Sequence, residues 1–232
     1  MKTFQKLLML VTFLVVAVST PVKAAACAMS ASWATFQATG ACTIDDFELS
    51  NLTIVSTANL AGNAIPASSI TLTLDNTMPG QLGMQWNMGM SATGAGNFQD
   101  LYFTFKLKSL NPNVKFNSDT LTFNGSATGG GSTGVSSIVC TSGPTSTCPS
   151  GNTYIAQVFN PPPVLGDTMY FPDSDTIWAS KDFVTSGTTN GTGQISRVIN
   201  TYGFSEVPEP MTFVLMGAGL IGIAAIRRRH SA

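Results

Sequence analysis

The sequence predicts an all-β chain. It reads as a single β-sandwich-like ectodomain over residues 27–206, preceded by an N-terminal signal peptide and followed by one C-terminal transmembrane helix. Three observations carry this reading. Apolar residues in the middle of the chain recur at every second position, the spacing of a strand with one face buried. Glycine and proline interrupt these runs at short intervals, with 22 and 12 residues respectively, as many short strands joined by turns require. The long uncharged apolar runs lie at the two ends, outside the alternating region.

Residues 1–26 have the build of a secretory signal peptide: Lys2 and Lys6, then an apolar run from Leu7 to Val18 broken only by Thr12, then small residues at Ala24, Ala25 and Ala26. Both Val22-Lys23-Ala24 and Ala24-Ala25-Ala26 satisfy the small-x-Ala rule, so cleavage fits after Ala24 or after Ala26. The second site would leave Cys27 first, as in a lipoprotein, although Ala24 rather than leucine then occupies the position three before the cut. Export makes disulfides available to the four cysteines, Cys27, Cys42, Cys140 and Cys148. Three pairings are possible. The local one, Cys27–Cys42 with Cys140–Cys148, closes short loops and is preferred. Zinc is disfavoured by spacings of 15, 98 and 8, by the lack of Cys-x-x-Cys, and by a body without histidine.

The 180 residues of the body are enough for one domain with a core. Residues 101–108 alternate most clearly, with Leu101, Phe103, Phe105 and Leu107 inward and Tyr102, Thr104, Lys106 and Lys108 outward. Residues 69–74 do the same through Ile70, Leu72 and Leu74. Further strands are expected at 52–56, 81–88, 120–124, 135–140, 153–159, 176–184 and 194–202, with no helix. The body holds five cations against eleven carboxylates, a net −6. An acidic body without a basic cluster excludes nucleic acid as a partner, because phosphate contacts need lysine and arginine.

Motifs that suggest catalysis lack what the chemistry needs. Gly129-Gly130-Gly131-Ser132-Thr133-Gly134 satisfies both a dinucleotide-binding and a hydrolase pattern. The first needs a following helix and an acidic residue about 20 positions on; here a strand follows, and no carboxylate occurs between Asp119 and Asp167. The second needs a base for Ser132, and the sole histidine is His230, beyond the apolar tail. The segment is expected to be a flexible hairpin loop. Asp45, Asp46 and Glu48 form one acidic group; Asp167, Asp173 and Asp175 form another, a weak candidate for calcium, but turn and capping roles fit these better. No cofactor is expected. Trp33, Trp86, Trp178, Tyr102, Tyr154 and Tyr170 are candidate sugar platforms, with core packing the competing fate. Thr71-Leu72-Thr73 and Thr120-Leu121-Thr122 have the spacing of an ice-binding face but provide too few rows.

The tail reads Val207-Pro208-Glu209-Pro210, an uncharged run over residues 211–226, then Arg227, Arg228 and Arg229. As a helix the run rises ~24 Å, a little short of the hydrocarbon core, and the arginine cluster favours a cytoplasmic end. These residues resemble the PEP-CTERM sorting signal of Gram-negative bacteria, with residues 207–232 as the signal. The resemblance implies recognition by an exosortase after passage through the export machinery, processing near Glu209–Pro210, a membrane-inserted intermediate, and delivery to the cell surface or exopolysaccharide matrix. A looser similarity to a set of PEP-CTERM ectodomains runs through Ala41-Cys42-Thr43-Ile44-Asp45-Asp46-Phe47, Gln85-Trp86, Asp100-Leu101-Tyr102-Phe103 and Lys181-Asp182-Phe183-Val184; it implies no activity.

The functional expectation is a non-catalytic, exported surface or matrix protein associated with exopolysaccharide or biofilm. A carbohydrate-binding module with aromatic platforms is the alternative. A carboxylate-based glycoside hydrolase and an ice-binding protein stand behind it.

Overall fold

Strand alternation becomes burial directly. In β7 (Phe98–Ser109), Leu101, Phe103, Phe105 and Leu107 are buried, while Tyr102, Thr104 and Lys106 face outward. In β5 (Thr71–Asp75), Leu72 and Leu74 are buried between outward threonines. The computed structural model describes residues 24–59 and 64–206. The apolar run at 211–226, the sorting residues and most of the signal peptide lie outside the described residues. Among the described residues no helix is long and apolar enough to cross a membrane.

Two sheets face one another. The seven-stranded sheet has the order β1 (Ala25–Ala26), β3 (Cys42–Ile44), β4 (Phe47–Ala58), β7, β12 (Thr176–Ser186), β9 (Ser132–Cys140) and β10 (Thr153–Asn160). The six-stranded sheet runs β11 (Gly166–Ser174), β8 (Val114–Thr128), β13 (Thr192–Glu206), β6 (Gln81–Thr93), β5 and β2 (Ser30–Ser32). Neighbours are antiparallel except β1 and β3. Each of the nine expected strands lies within or overlaps an observed one. The sheet also takes in Ala25 and Ala26, two residues ahead of the Cys27 boundary.

Three features depart from the expectation. A short helix, α1 (Trp33–Thr39), interrupts the strands; Ser32 caps it by accepting a hydrogen bond from the Thr35 N–H, and Gly40 ends it with a positive φ. It has only two turns and delivers Trp33 and Phe36 to the core, too brief a pattern to show helical periodicity. β11 is not among the expected strands; Asp167, Asp173 and Asp175 read from the sequence as a loop set after Pro161, Pro162 and Pro163, and the first two fall within this strand. It is an edge strand, where a missing N–H is tolerated, and its register shifts between Tyr170 and Ser174 around Pro172. The glycine segment at 129–131 is not a hairpin. It carries the chain from β8 in one sheet to β9 in the other, and the Thr188 hydroxyl donates to the Gly129 carbonyl at 2.7 Å. A Cβ on Gly129, whose φ is +54°, would lie 2.0 Å from the Asn190 carbonyl oxygen, so this close approach needs glycine.

The core is aromatic at its centre. Trp86 has ring centroids 5.0 Å from both Trp33 and Phe103, and Phe103 meets Phe183 edge-on at 5.2 Å. Such tilted and edge contacts add to the area these rings bury. One polar cluster bridges the sheets beside them. Lys181 of β12 and Asp119 of β8, both 0% exposed, form an ion pair at 2.8 Å. The Ser137 hydroxyl donates to Asp119 Oδ2 at 2.6 Å and accepts from Lys181 Nζ. Asn200 of β13 donates to Asp119 Oδ1 at 2.9 Å. Lys181 Nζ also lies 5.1 Å from the Tyr202 ring centre. Burial pushes the Lys181 amine below its usual value, opposed by the Asp119 charge. Isolated buried charges are costly, so the pairing is a condition for closing the sandwich around them.

Candidate functional site

The sequence-derived aromatic candidates separate into core and surface. Trp33 and Trp86 are fully buried and cannot serve as sugar platforms; packing between the sheets claims both. Tyr154 packs against Phe171 at 5.6 Å. Tyr170 is 76% exposed on edge strand β11. Trp178 and Tyr102 alone meet in one groove, on the outer face of the seven-stranded sheet.

Strand pairing sets that groove. Tyr102 of β7 stands opposite Asp182 of β12, and Trp178 stands opposite Lys106. The two aromatic positions are therefore four residues apart along the strands, ~13 Å at the rise of a β-strand. Between them Thr104 hydrogen-bonds Thr53 at 2.6 Å. Asn51, at a bulge of β4 with φ +56°, lines the same groove. Residues 144–146 form its far wall, and the Cys140–Cys148 disulfide closes the loop that carries them. Lys106 Nζ lies 5.7 Å from the Trp178 ring centre, a cation–π contact that orients the indole.

Beside Tyr102 lies a carboxylate pair that sequence reasoning missed. Asp182 is half-buried; burial, then the Asp100 charge, then a hydrogen bond with Asp100 raise its pKa to about 6. The two aspartates lie in the motifs Asp100-Leu101-Tyr102-Phe103 and Lys181-Asp182-Phe183-Val184, which pair strand to strand. Period-two alternation puts both outward, but only the pairing shows that they meet. An outward groove of two rings, hydroxyls and an amide can stack on and hydrogen-bond a polyhydroxylated chain, with the acid pair standing beside Tyr102 at its margin.

The other candidates do not converge. Among the described residues no group of three or more metal-ligating side chains comes together. Asp167 accepts from the Gln157 and Thr168 N–H groups, Asp173 from the Ser205 hydroxyl, and Asp175 pairs with Lys115 at 3.6 Å. Asp45 is bound by Asn76, Asp46 by Asn111, and Glu48 by Ser50. Ser132 hydrogen-bonds Ser186. The Thr-x-Thr segments do share the outer face of the six-stranded sheet, but Gln85, Asn87, Arg197 and Ile199 interrupt their rows. Both local disulfides form, Cys27–Cys42 and Cys140–Cys148.

No curated protein matches the chain. Among solved structures, the enzymatically active domain of tailspike protein 4 from bacteriophage CBA120 is 14% identical. The match covers 67% of this chain and 20% of that one, with a TM-score of 0.30. A carbohydrate-binding module of the β-sandwich superfamily is 10% identical, with 71% and 58% covered and a TM-score of 0.31. The family 22 carbohydrate-binding module of Clostridium thermocellum Xyn10B is 16% identical, with 64% and 86% covered and a TM-score of 0.20. Superpositions this loose say nothing about what the chain binds. The tail is different: residues 206–229, starting on the last residue of β13, match the PEP-CTERM protein-sorting motif, so this chain is a β-sandwich protein that carries a PEP-CTERM sorting signal.

Proposed function

We propose that this chain is a non-catalytic surface or matrix protein, exported, sorted by an exosortase through its tail, and held in an exopolysaccharide-rich envelope. The observation behind the reading is the direct continuation of β13 into the sorting motif at residue 206. The motif implies an exosortase-sorted surface protein, with a membrane-anchored intermediate before processing. The paired disulfides suit an oxidising exterior. The experiment is fractionation of cells producing either the native chain or one with Pro208, Glu209 and Pro210 changed to alanine. The native chain is expected at the surface in a shortened form, and the variant at the membrane at full length. The same distribution for both would overturn the reading.

A second reading gives the body a ligand. The outer groove of Trp178, Tyr102, Thr104 and Asn51 favours binding of a polysaccharide strand from that envelope. Purified exopolysaccharide should retain the native body and lose the Trp178→Ala variant, with both unfolding at the same temperature. Equal retention of the two would remove the groove from the account.

A further inference from the structure

The polar cluster at the centre of the sandwich is built from an amine, a carboxamide and a carboxylate that touches both. Asp119 Oδ2 accepts from Lys181 Nζ at 2.8 Å, and Asp119 Oδ1 accepts from Asn200 Nδ2 at 2.9 Å. A carboxylate only accepts, so the Asn200 nitrogen must face it, leaving Asn200 Oδ1 buried without a hydrogen-bond partner. Lys181, Asp119 and Asn200 are all fully buried, and the Tyr202 ring covers the amine at 5.1 Å. A plain ion pair would need neither the carboxamide nor the orphaned oxygen.

We propose that Lys181 and Asn200 join in an intramolecular isopeptide bond that ties β12 of one sheet to β13 of the other, with Asp119 as the proton carrier. Asp119 takes a proton from the Lys181 ammonium. The freed amine electron pair then attacks Cγ of Asn200, forming the new C–N bond while the carbonyl π electrons move onto Oδ1. The tetrahedral adduct collapses as the bond from Cγ to Nδ2 breaks. Asp119 delivers its proton to the departing nitrogen, and the second proton on Nζ follows through the same carboxylate. The products are a secondary amide and one ammonium ion, with the Asp119 carboxylate restored and no oxidant or cofactor consumed; the joined chain is lighter by the mass of one ammonia.

The cluster supplies a desolvated amine, a carboxylate shared by both reactants and a closed core. Desolvation lowers the proton affinity of the lysine, which makes a neutral nucleophilic amine accessible. One carboxylate contacts both the nitrogen that loses protons and the nitrogen that gains one, the geometry general acid–base catalysis needs. Asp119 gathers the two reactants, one on each of its oxygens, and the surrounding core excludes the water that would compete with the amine. A Lys181–Asp119 amide is disfavoured because it would consume the carboxylate in contact with the amine.

The test is tryptic mass spectrometry of the full chain isolated from exporting cells, reduced and denatured first. Acylated lysine is not cut by trypsin, so the bond predicts a branched product: the peptide spanning 116–197 joined to the peptide that begins at Val198, lighter than their sum by one ammonia. Cleavage after Lys181 into separate linear peptides overturns the proposal. A 116–197 peptide lighter by one water and joined to nothing also overturns it, because Asp119 would then be the acceptor. The Asp119→Asn chain should yield only the linear peptides; the branched product in that chain overturns the role given to Asp119. The readings on the native chain, which alone decide whether the bond exists and which side chain accepts it, require no variant to fold.

Discussion

Changing Asp182 to asparagine tests the electrostatics of the Asp100–Asp182 pair. Asp182 shares a hydrogen bond with Asp100, and burial together with that neighbour raises its pKa to about 6, against ~3.9 in an unfolded chain. A raised folded pKa means stability that is fully present below the unfolded value and is lost as pH rises through the folded one. Ionisation of Asp182 therefore costs the native chain stability at neutral pH. Two pH units correspond to ~3 kcal/mol at full value; the carboxyl is half open to water, and screening reduces this to ~1 kcal/mol. Asparagine at this position can donate its amide to Asp100 without a charge. Urea unfolding should thus find the Asp182→Asn chain more stable by ~1 kcal/mol at about pH 7.5, with a melting temperature ~2–4 °C higher. At about pH 3, below the unfolded value, the carboxyl of the native chain is largely protonated in both states and the gap should close. A gap that does not change with pH, or a native chain more stable at about pH 7.5, would refute the reasoning.

Other perturbations separate the remaining claims. Trp86→Ala empties the aromatic centre and should cost ~3–5 kcal/mol in urea unfolding; a loss under ~1 kcal/mol would mean that Trp33 and Phe103 do not depend on it. Replacing Cys140 and Cys148 by serine opens a loop with a sequence separation of 8, worth ~2–3 kcal/mol by chain entropy. Affinity for exopolysaccharide should fall with it, since that loop walls the groove; unchanged affinity would detach the loop from binding. Terminal sequencing of the exported protein should begin at Ala25, because Ala25 and Ala26 pair with β3 and the Cys27 sulfur is committed to Cys42. A lipid on Cys27 would contradict that pairing directly.

Much of the fold was legible because burial follows alternation. Leu101, Phe103, Phe105 and Leu107 could be assigned to the core from spacing alone, and the short separation of each cysteine pair favoured the observed disulfides. Strand β11 was hidden because edge position, which makes Pro172 tolerable, is a property of the whole sheet. The fate of each tryptophan was equally non-local: Trp86 and Trp178 both sit in strands, and only the inward or outward parity of each strand separates them. The buried cluster left a trace that was not used. Lys181 shares parity with Ile177, Ala179 and Phe183, and Asp119 with Leu121 and Phe123, so two opposite charges fall on inward faces. What the sequence did not contain was the sheet-to-sheet juxtaposition that brings them together.

The final strand has a mechanical consequence. β13 runs for 15 residues between β8 and β6, deep in its sheet, and the chain leaves it at Glu206 straight into the sorting segment. A tether fixed beyond that point pulls β13 along its own axis, across ladders whose hydrogen bonds lie perpendicular to the strand. The bonds on both flanks then resist in parallel, like a drawn bolt, where an edge strand would peel open one rung at a time. Tension on such a tether would thus load two ladders at once.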